Sequence, residues 1–398
     1  MFPHPSQNNT RLELGRFHYF CICGKKQPTL FISFSIMKET LKNIGNKFAF
    51  EGTVKEIRPM GEGLINDTFF VETEGNSPNY ILQRKNKNIF KDIPSMMENI
   101  HKVTTHLKHK IKGQGGDPLR EALTVTPTTD GKLYYKDEEN EYWAACLFIE
   151  DTITYQFADS PELAAQGGKG IGKFQAMLAD MKEPLADILP GFHNMRIRFS
   201  QWDDVLAKDP VGRKSQVQQE IDWIENRRKE MLHFWTKAET GELPMRVTHN
   251  DTKISNILFD KQENVLCVID LDTVLNSICL NDYGDAIRSY ANAGKEDDEN
   301  LDNVYLKMDI FEGYTKGYLS ETKVFLIPAE IENLAFSAKY ITFEQVLRFL
   351  MDYIDGDNYY KVKYDTHNLV RTRAQYKLLE SIDKNYNQML AIIDKLAK

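Results

Sequence analysis

The alternation of apolar and polar positions divides the chain into a strand-rich first part and a helix-rich second part. Side chains alternate between the two faces of a strand, whereas one face of a helix recurs every three or four residues. Strand patterns occur at residues 54–71, 80–84, 133–135 and 142–149. Helix patterns occur at residues 95–110, 160–178, 215–235 and 335–353. The pattern predicts an α+β protein in which a small sheet precedes a larger, mainly helical part.

Length and charge add two constraints. At 398 residues the chain exceeds what one hydrophobic core usually serves, so two lobes are expected. A composition of 41% hydrophobic and 27% charged residues is ordinary for a soluble globular protein. The net charge of −8, without a basic segment, disfavours nucleic acid as the main partner.

The cysteines and the N-terminus indicate a cytoplasmic protein without a membrane anchor. The 5 cysteines are an odd number and include no C-x-x-C pair, which disfavours a disulfide framework or a zinc site. The apolar clusters within residues 1–36 are too short to span a bilayer. Met37 begins a plausible amphipathic helix and would serve as a translation start. We therefore expect residues 1–36 to be a disordered or mis-annotated extension.

The residues with the clearest chemistry lie between Met245 and Thr273. Apolar runs on either side of residues 261–264 predict two strands joined by a four-residue turn. In a regular antiparallel pair the sum of the facing residue numbers is constant. If Asp260 faces Val265, Leu258 must therefore face Cys267.

The same register brings two metal-binding groups together. It places Asn256 opposite Ile269, so that Asp270 is one residue from the partner of Asn256. A carboxylate beside an amide oxygen suits Mg²⁺, which keeps several waters and takes further ligands from substrate phosphates. Asp251 and Lys253 precede Asn256 in the adjoining loop, so a proton acceptor is expected nearby.

These residues carry a family resemblance. The segment His249–Asn256 resembles the H-R-D-x-x-x-x-N catalytic loop of protein kinases, and Asp270 stands where their metal-binding aspartate stands. The sequence H-N-D-T-K followed by V-I-D-L-D-T resembles the aminoglycoside phosphotransferase family of small-molecule kinases. The similarity is greatest to its N-acetylhexosamine 1-kinase branch and covers about residues 53–381.

The resemblance implies a two-lobed, protein-kinase-like α+β fold. It assigns a small antiparallel-sheet N-terminal lobe, which binds the nucleotide, to residues 37–150. A larger, mainly helical lobe with the catalytic and acceptor-binding residues is expected at 151–398. The implied phosphoryl donor is ATP and the implied cofactor is Mg²⁺.

The resemblance also implies how the nucleotide is held. Gly61 and Gly63 lie between two predicted strands, where the family covers the phosphates, and Asn66 and Thr68 offer hydrogen bonds there. At the end of the small lobe, the backbone of Phe148 and Ile149 is expected beside the adenine.

A cation that pairs with the phosphates is expected at the third strand. Arg84 is our preferred candidate because its fork can engage a phosphate at two points, and Lys85 and Lys87 are the alternatives. Kinases pair this cation with a glutamate on the following helix. Glu98 stands at the corresponding position of this chain.

For the acceptor, the resemblance implies that Asp251 takes the proton of a hydroxyl while Lys253 offsets the developing charge. Residues assigned to acceptor binding are Asp272, His193, Arg348 and Arg373. The alternative role for Asp272 is to bind a second metal ion, because strand alternation puts it on the same side as Asp270.

The preferred acceptor is the anomeric hydroxyl of N-acetylglucosamine or N-acetylgalactosamine, which would give the sugar 1-phosphate. Aminoglycosides, choline and homoserine are alternative acceptors, and a nucleotide-binding pseudokinase is the non-enzymatic alternative. The sequence does not indicate an oligomeric state.

Two acidic segments are not assigned to the site. Asp282 and Asp285 belong to a D-Y-G-D sequence that resembles D-F-G but lacks the strand context, so we expect a loop residue and a helix cap. The acidic run Glu296–Glu299 is expected to be a solvated loop.

Overall fold

The computed structural model describes residues 12–13, 39–61 and 65–398. The expectation for residues 1–36 therefore falls outside the described residues, except for the backbone of Leu12 and Glu13. Gly63, expected to lie over the nucleotide phosphates, is also outside them.

The strands lie mostly before residue 155. They are β1 (Leu12–Glu13), β2 (Val54–Pro59), β3 (Asp67–Thr73), β4 (Tyr80–Lys85), β5 (Val125–Thr126), β6 (Tyr135–Lys136), β7 (Tyr142–Leu147), β8 (Ile153–Thr154), β9 (Met245–Thr248), β10 (Ile257–Phe259), β11 (Val265–Val268) and β12 (Leu275–Ile278). Strands β2, β3, β4, β7 and β5 form an antiparallel sheet in that order, and β6 also pairs with β7.

Helices dominate the rest of the chain. They are α1 (residues 39–45), α2 (Ile93–Gly113), α3 (Pro118–Glu121), α4 (Pro161–Leu178), α5 (Met195–Lys208), α6 (Gln218–Glu239), α7 (Cys279–Tyr290), α8 (Met308–Thr322), α9 (Pro328–Glu332), α10 (Leu334–Asp355) and α11 (His367–Ala397). This arrangement confirms the predicted α+β fold, with an antiparallel sheet followed by a mainly helical part.

Helix α2 shows how local sequence sets an element. Its first turn contains Pro94, and the Asp92 carboxylate caps it by accepting the N–H of Ser95 at 3.0 Å. Met97 and Ile100 are buried on the side of the helix that faces the sheet. The helix is longer at both ends than the predicted 95–110, because its buried apolar face continues to Ile93 and Ile111.

Helices α4 and α8 pack so closely that glycine is required at their contact. A Cβ atom on Gly317 would lie 1.9 Å from the carbonyl oxygen of Ala165, and one on Gly168 would lie 2.2 Å from that of Tyr314. Such distances are far below van der Waals contact, so the two backbones touch only because both residues lack a side chain.

The predicted hairpin is present, with one change of register. Leu258 faces Cys267 as expected, and the N–H of Ile269 donates to the carbonyl of Asn256 at 2.9 Å. Val265, however, faces Phe259 rather than Asp260, because the register shifts between Leu258 and Phe259. The shift lies at the turn, so the Asn256 end keeps the predicted pairing.

One of the two acidic segments differs from expectation. Asp282 and Asp285 lie inside helix α7 and are buried, rather than in a loop and at a helix cap. The run Glu296–Glu299 is a loop with both glutamates exposed, as expected, although Glu296 also binds Arg288 and Asp297 binds His367. Among the described residues, no helix is both long and apolar enough to cross a membrane.

Candidate active site

Side-chain carboxylates of helix α7 form hydrogen bonds with the backbone of the loop that contains Asp251. The Asp282 carboxylate accepts the backbone N–H groups of His249 at 2.9 Å and Asn250 at 2.7 Å. The Asp285 carboxylate accepts the N–H of Thr252 at 2.9 Å. Buried carboxylates that accept backbone N–H groups hold a loop in one conformation, because leaving any of these groups unpaired would be costly.

Asp251 has one oxygen engaged and one free of protein donors. Its Oδ2 atom accepts from Lys253 Nζ at 2.9 Å and from Asn256 Nδ2 at 3.0 Å. In the described part of the chain, no donor bonds to its Oδ1 atom. Burial opposes the charge of Lys253, but the Asp251 and Asp270 carboxylates outweigh this and raise the pKa of its ammonium.

Asp270 directly follows strand β11 and its backbone is left-handed, with φ 62°. Burial raises the pKa of its carboxyl to about 6, and the negative charges of Asp272 and Asp251 act in the same direction. No protein donor within the described ranges forms a hydrogen bond with this carboxylate. The Asn256 amide nitrogen is bound to Asp251, so its Oδ1 atom is the one left for another ligand.

A cavity of about 340 Å³ adjoins these residues. The predicted site residues in its wall are Gly61, Thr68, Phe148, Ile149, Asn256, Asp270 and Asp272. Sheet residues from the first part of the chain and hairpin residues from the second thus line one space. Its wall is mostly apolar near Phe148 and carries carboxylates at Asp270 and Asp272.

The cation in this cavity is Lys85, not the preferred Arg84. The alternation along β4 turns Ile81, Gln83 and Lys85 toward the cavity. Arg84 points the other way, is 45% exposed and pairs with Asp67. Lys87, the other alternative, pairs with Glu141 and is 40% exposed.

Glu98 does not approach this lysine. Its side chain is exposed on α2, and the helix presents Met97 and Ile100 to the cavity instead. The carboxylate bound to Lys85 is Asp272, at 2.7 Å from its Nζ atom. Asn66 also binds Asp272, at 2.6 Å. Asp272 and Asn66 were expected to contact the acceptor and the nucleotide, but here each is engaged with the protein.

The residues expected to bind the acceptor are not all together. His193 is 2% exposed, its Nδ1 atom lies 2.6 Å from Glu344, and its buried Nε2 atom has no partner among the described residues. Arg348 stacks near the rings of Tyr359 and Tyr360, each 5.5 Å from its guanidinium. Arg373 pairs with Glu220, and no contact links it to the other site residues described.

The sequence of residues 56–319 matches the model of the APH family, described as the phosphotransferase enzyme family. The chain belongs to this family. The match extends from strand β2 to helix α8 and therefore includes the cavity and the Asp251 loop.

Solved structures of other proteins have a similar fold. One is a microcompartment-associated aminopropanol kinase, with 13% identity, TM-score 0.55, and coverage of 88% of this chain and 98% of that one. A spectinomycin phosphotransferase, solved with ADP and spectinomycin, has 14% identity, TM-score 0.53, and coverage of 88% and 98%. Ethanolamine kinase of Plasmodium vivax has 13% identity, TM-score 0.53, and coverage of 92% and 90%. At such identities the likeness concerns the fold.

Sequence reasoning missed several residues that support this site. Asp282, Asp285 and Arg288 lie on one side of α7, and Arg288 Nη2 donates to Asp285 at 2.9 Å. The spacing of Asp282 and Asp285 by three residues was the available signal, because it puts both on one helix face. Glu344 on α10 carried no signal, since its partners are distant in sequence.

Proposed function

We propose that this protein transfers the γ-phosphoryl group of ATP to a small-molecule hydroxyl. The preferred acceptor is the anomeric hydroxyl of N-acetylglucosamine or N-acetylgalactosamine, and the product is the sugar 1-phosphate. The observation that carries this proposal is the convergence of Asp251, Asn256 and Asp270 at one end of a cavity that also contains Lys85.

The cavity suits a nucleotide. Phe148 and Ile149 provide an apolar wall with an extended backbone beside it, where the adenine would lie. At the other end of the cavity, the ammonium group of Lys85 on strand β4 would bind the phosphates as a compact positive charge. The boundary between the two proposed lobes, residues 37–150 and 151–398, then falls between Phe148 and helix α4, beside the adenine.

Asn256 and Asp270 fit the requirements of Mg²⁺. Asn256 Oδ1 is an uncharged oxygen ligand. Asp270 supplies a carboxylate, and the nearby carboxylates of Asp272 and Asp251 add negative charge that a cation would offset. The described residues contain no group of three His, Cys, Asp or Glu side chains that would hold a metal by themselves. Magnesium would thus also depend on phosphate oxygens and water, and when bound it would neutralise charge on the phosphates.

Asp251 is positioned to accept the acceptor proton. Its Oδ2 atom is fixed by Lys253 and Asn256, so Oδ1 would face the hydroxyl. Oδ1 would take the proton as the new O–P bond forms and the bond from the γ-phosphorus to the departing ADP oxygen breaks. An anomeric hydroxyl is more acidic than an ordinary alcohol, which eases this transfer. Lys253 offsets negative charge beside the reacting oxygens.

Arg348 has hydrogen-bonding capacity left for the oxygens of an acceptor. Its guanidinium has one long hydrogen bond, 3.4 Å to the Tyr359 hydroxyl, and no carboxylate within ion-pair distance among the described residues. Glu344 lies within electrostatic reach and favours the charge of Arg348, whereas Arg288 opposes it. The hydroxyl and carbonyl oxygens of an N-acetylhexosamine would accept from the unused N–H groups.

The free thiols Cys146, Cys267 and Cys279 and the use of ATP support a cytoplasmic location for this reaction.

A direct test of the proposed reaction is a coupled ATP-consumption assay with N-acetylglucosamine, N-acetylgalactosamine, an aminoglycoside, choline and homoserine. We expect turnover with an N-acetylhexosamine, and ³¹P NMR should show phosphate on the anomeric carbon. Turnover with a cationic acceptor alone would contradict the acceptor proposal. Nucleotide binding without any turnover would favour a pseudokinase.

A further inference from the structure

Lys85 and Asp272 form a buried ion pair between the sheet and the hairpin. Lys85 Nζ lies 2.7 Å from Asp272 Oδ1 and 3.0 Å from Oδ2. The two side chains are only 4% and 6% exposed. A buried charge is stable only if it is paired and hydrogen-bonded, so each side chain strongly constrains the other.

The carboxylate of Asp272 is itself held in place. Asn66 Nδ2 donates to Asp272 Oδ2 at 2.6 Å, and Asn66 Oδ1 accepts the backbone N–H of Asn86 at 3.1 Å. Asp272 lies in the 3-10 turn Leu271–Thr273 that follows Asp270. The segment that supplies the proposed metal ligand therefore also supplies the counter-charge of Lys85.

The ammonium faces the cavity as well as Asp272. A lysine ammonium has three N–H donors. Asp272 Oδ1 and Gln83 Oε1 each accept at 2.7 Å, and the longest contact, 3.0 Å, goes to Asp272 Oδ2, on a carboxylate that Lys85 already binds through Oδ1. Lys85 also lines the cavity proposed to contain the nucleotide phosphates, so a phosphate oxygen there can replace the 3.0 Å contact without breaking the ion pair.

Helix α2 does not offer a competing carboxylate. Glu98 is exposed, and the residues of α2 that line the cavity are Met97 and Ile100. Within the described ranges, Asp272 is the carboxylate found within ion-pair distance of Lys85. A glutamate on this helix is therefore not what orients the lysine.

We propose that Asp272 is the positioning residue of the nucleotide lysine. It keeps Lys85 directed at the phosphates, in place of Glu98, and is neither an acceptor ligand nor a second metal ligand. The inference rests on the proposed function, because it assumes that the cavity binds a nucleotide. The ion pair also connects strand β4 to the 3-10 turn that follows strand β11.

Metal-free ADP binding separates this role from metal binding. In EDTA, measured by isothermal titration calorimetry, Asp272→Asn should weaken ADP binding about tenfold or more, because a charge-assisted contact that orients Lys85 is lost. A second-metal ligand would leave this metal-free affinity unchanged. Asn66→Ala removes the other bond to Asp272 without changing any charge, so it should weaken ADP binding in the same direction but less.

Coupling and control variants complete the test. In the Lys85→Met background, Asp272→Asn should have little further effect on ADP affinity, because both changes remove the same interaction. Glu330→Gln is the matched control. It removes a buried carboxylate, 1% exposed, from its ion pair with Arg246, away from the cavity wall. Thermal unfolding of each variant shows whether it is folded at the temperature of the titration.

The outcomes are distinguishable. Asp272→Asn with wild-type ADP affinity in EDTA would overturn the proposal, as would additive effects of the Lys85 and Asp272 changes. A loss of metal-free affinity in Glu98→Gln, equal to that in Asp272→Asn, would assign the positioning role to Glu98. If the wild-type protein does not bind ADP under any condition, the proposed function fails instead.

Discussion

At the scale of single residues, the chemistry depends on which atoms the protein leaves without a partner. Within the described part of the chain, Asp251 Oδ2 and the Asn256 amide nitrogen are occupied, whereas Asp251 Oδ1 and Asn256 Oδ1 are available. Neighbouring residues therefore determine which atom of each side chain can bind a ligand. A carboxylate fixed through one oxygen presents the other in a constant direction, which proton transfer in phosphoryl transfer requires.

Asp251→Asn should slow turnover without weakening nucleotide binding. The amide cannot accept the hydroxyl proton, so kcat should fall by about a thousandfold, while ADP affinity stays close to that of wild type. Steady-state kinetics with an N-acetylhexosamine and calorimetry with ADP would measure the two effects. Near-normal kcat would contradict the role of Asp251 as proton acceptor.

Asp270→Ala should remove the effect of magnesium on nucleotide binding. In the wild-type protein, Mg²⁺ should strengthen ATP binding, because Asp270 would help to hold the ion and the ion would offset the charge of the phosphates. In the variant, titrations with Mg²⁺ and with EDTA should give similar ATP affinities. If Asp282→Asn removed the magnesium effect and Asp270→Ala did not, the metal assignment would be wrong.

At the scale of elements, helix α7 supports the loop that precedes hairpin β10–β11. Its residues Asp282 and Asp285 accept three backbone N–H groups of the loop. Gln175 of α4 donates to Asp282 at 2.7 Å and thus connects a second helix to the same carboxylate. Asn250 has a left-handed backbone, φ 65°, which asparagine adopts more readily than most residues, and its N–H is held by Asp282.

Asp282→Asn should loosen this support. An asparagine has only one acceptor oxygen, so its amide would face a backbone donor and leave a buried group unpaired. We expect a loss of about 2–3 kcal/mol in the free energy of unfolding, measured with urea, and a lower kcat. Unchanged stability would show that the loop does not depend on α7.

At the scale of the whole molecule, charge networks connect helices that are distant in sequence. Glu344 of α10 accepts from Arg198 of α5 at 2.9 Å and from His193 at 2.6 Å, and it is fully buried. Burial opposes the charge of Glu344, but His193, Arg198 and Arg348 outweigh it, so the pKa of the carboxyl lies well below its ordinary value.

This depressed pKa predicts a loss of stability in acid. A carboxyl that is more acidic when folded stabilises the protein above its unfolded pKa, and this contribution declines as pH falls below that value. Between pH 7 and pH 4, the free energy of unfolding should therefore decrease more for wild type than for Glu344→Gln. Equal decreases in urea titrations at these pH values would contradict the network.

Sequence patterns alone were enough for the order of elements, the antiparallel hairpin and the loop with Asp251 and Asn256. These features depend on local periodicity and short spacing, which a sequence displays directly. In the hairpin, counting residues from the turn could not reveal the register shift at Phe259, because a bulge changes the facing partners without changing the apolar pattern.

Only the tertiary structure decided which cation faces the cavity, which carboxylate binds it and which acidic residues support the loop. Lys85 and Asp272 are 187 residues apart, and Glu344 and His193 are 151 apart, so local patterns carry no information about either pair. The direction of a side chain depends on the packed strand or helix that carries it. Strand periodicity puts Arg84 and Lys85 on opposite faces of β4, but only packing determines which of these faces lines the cavity.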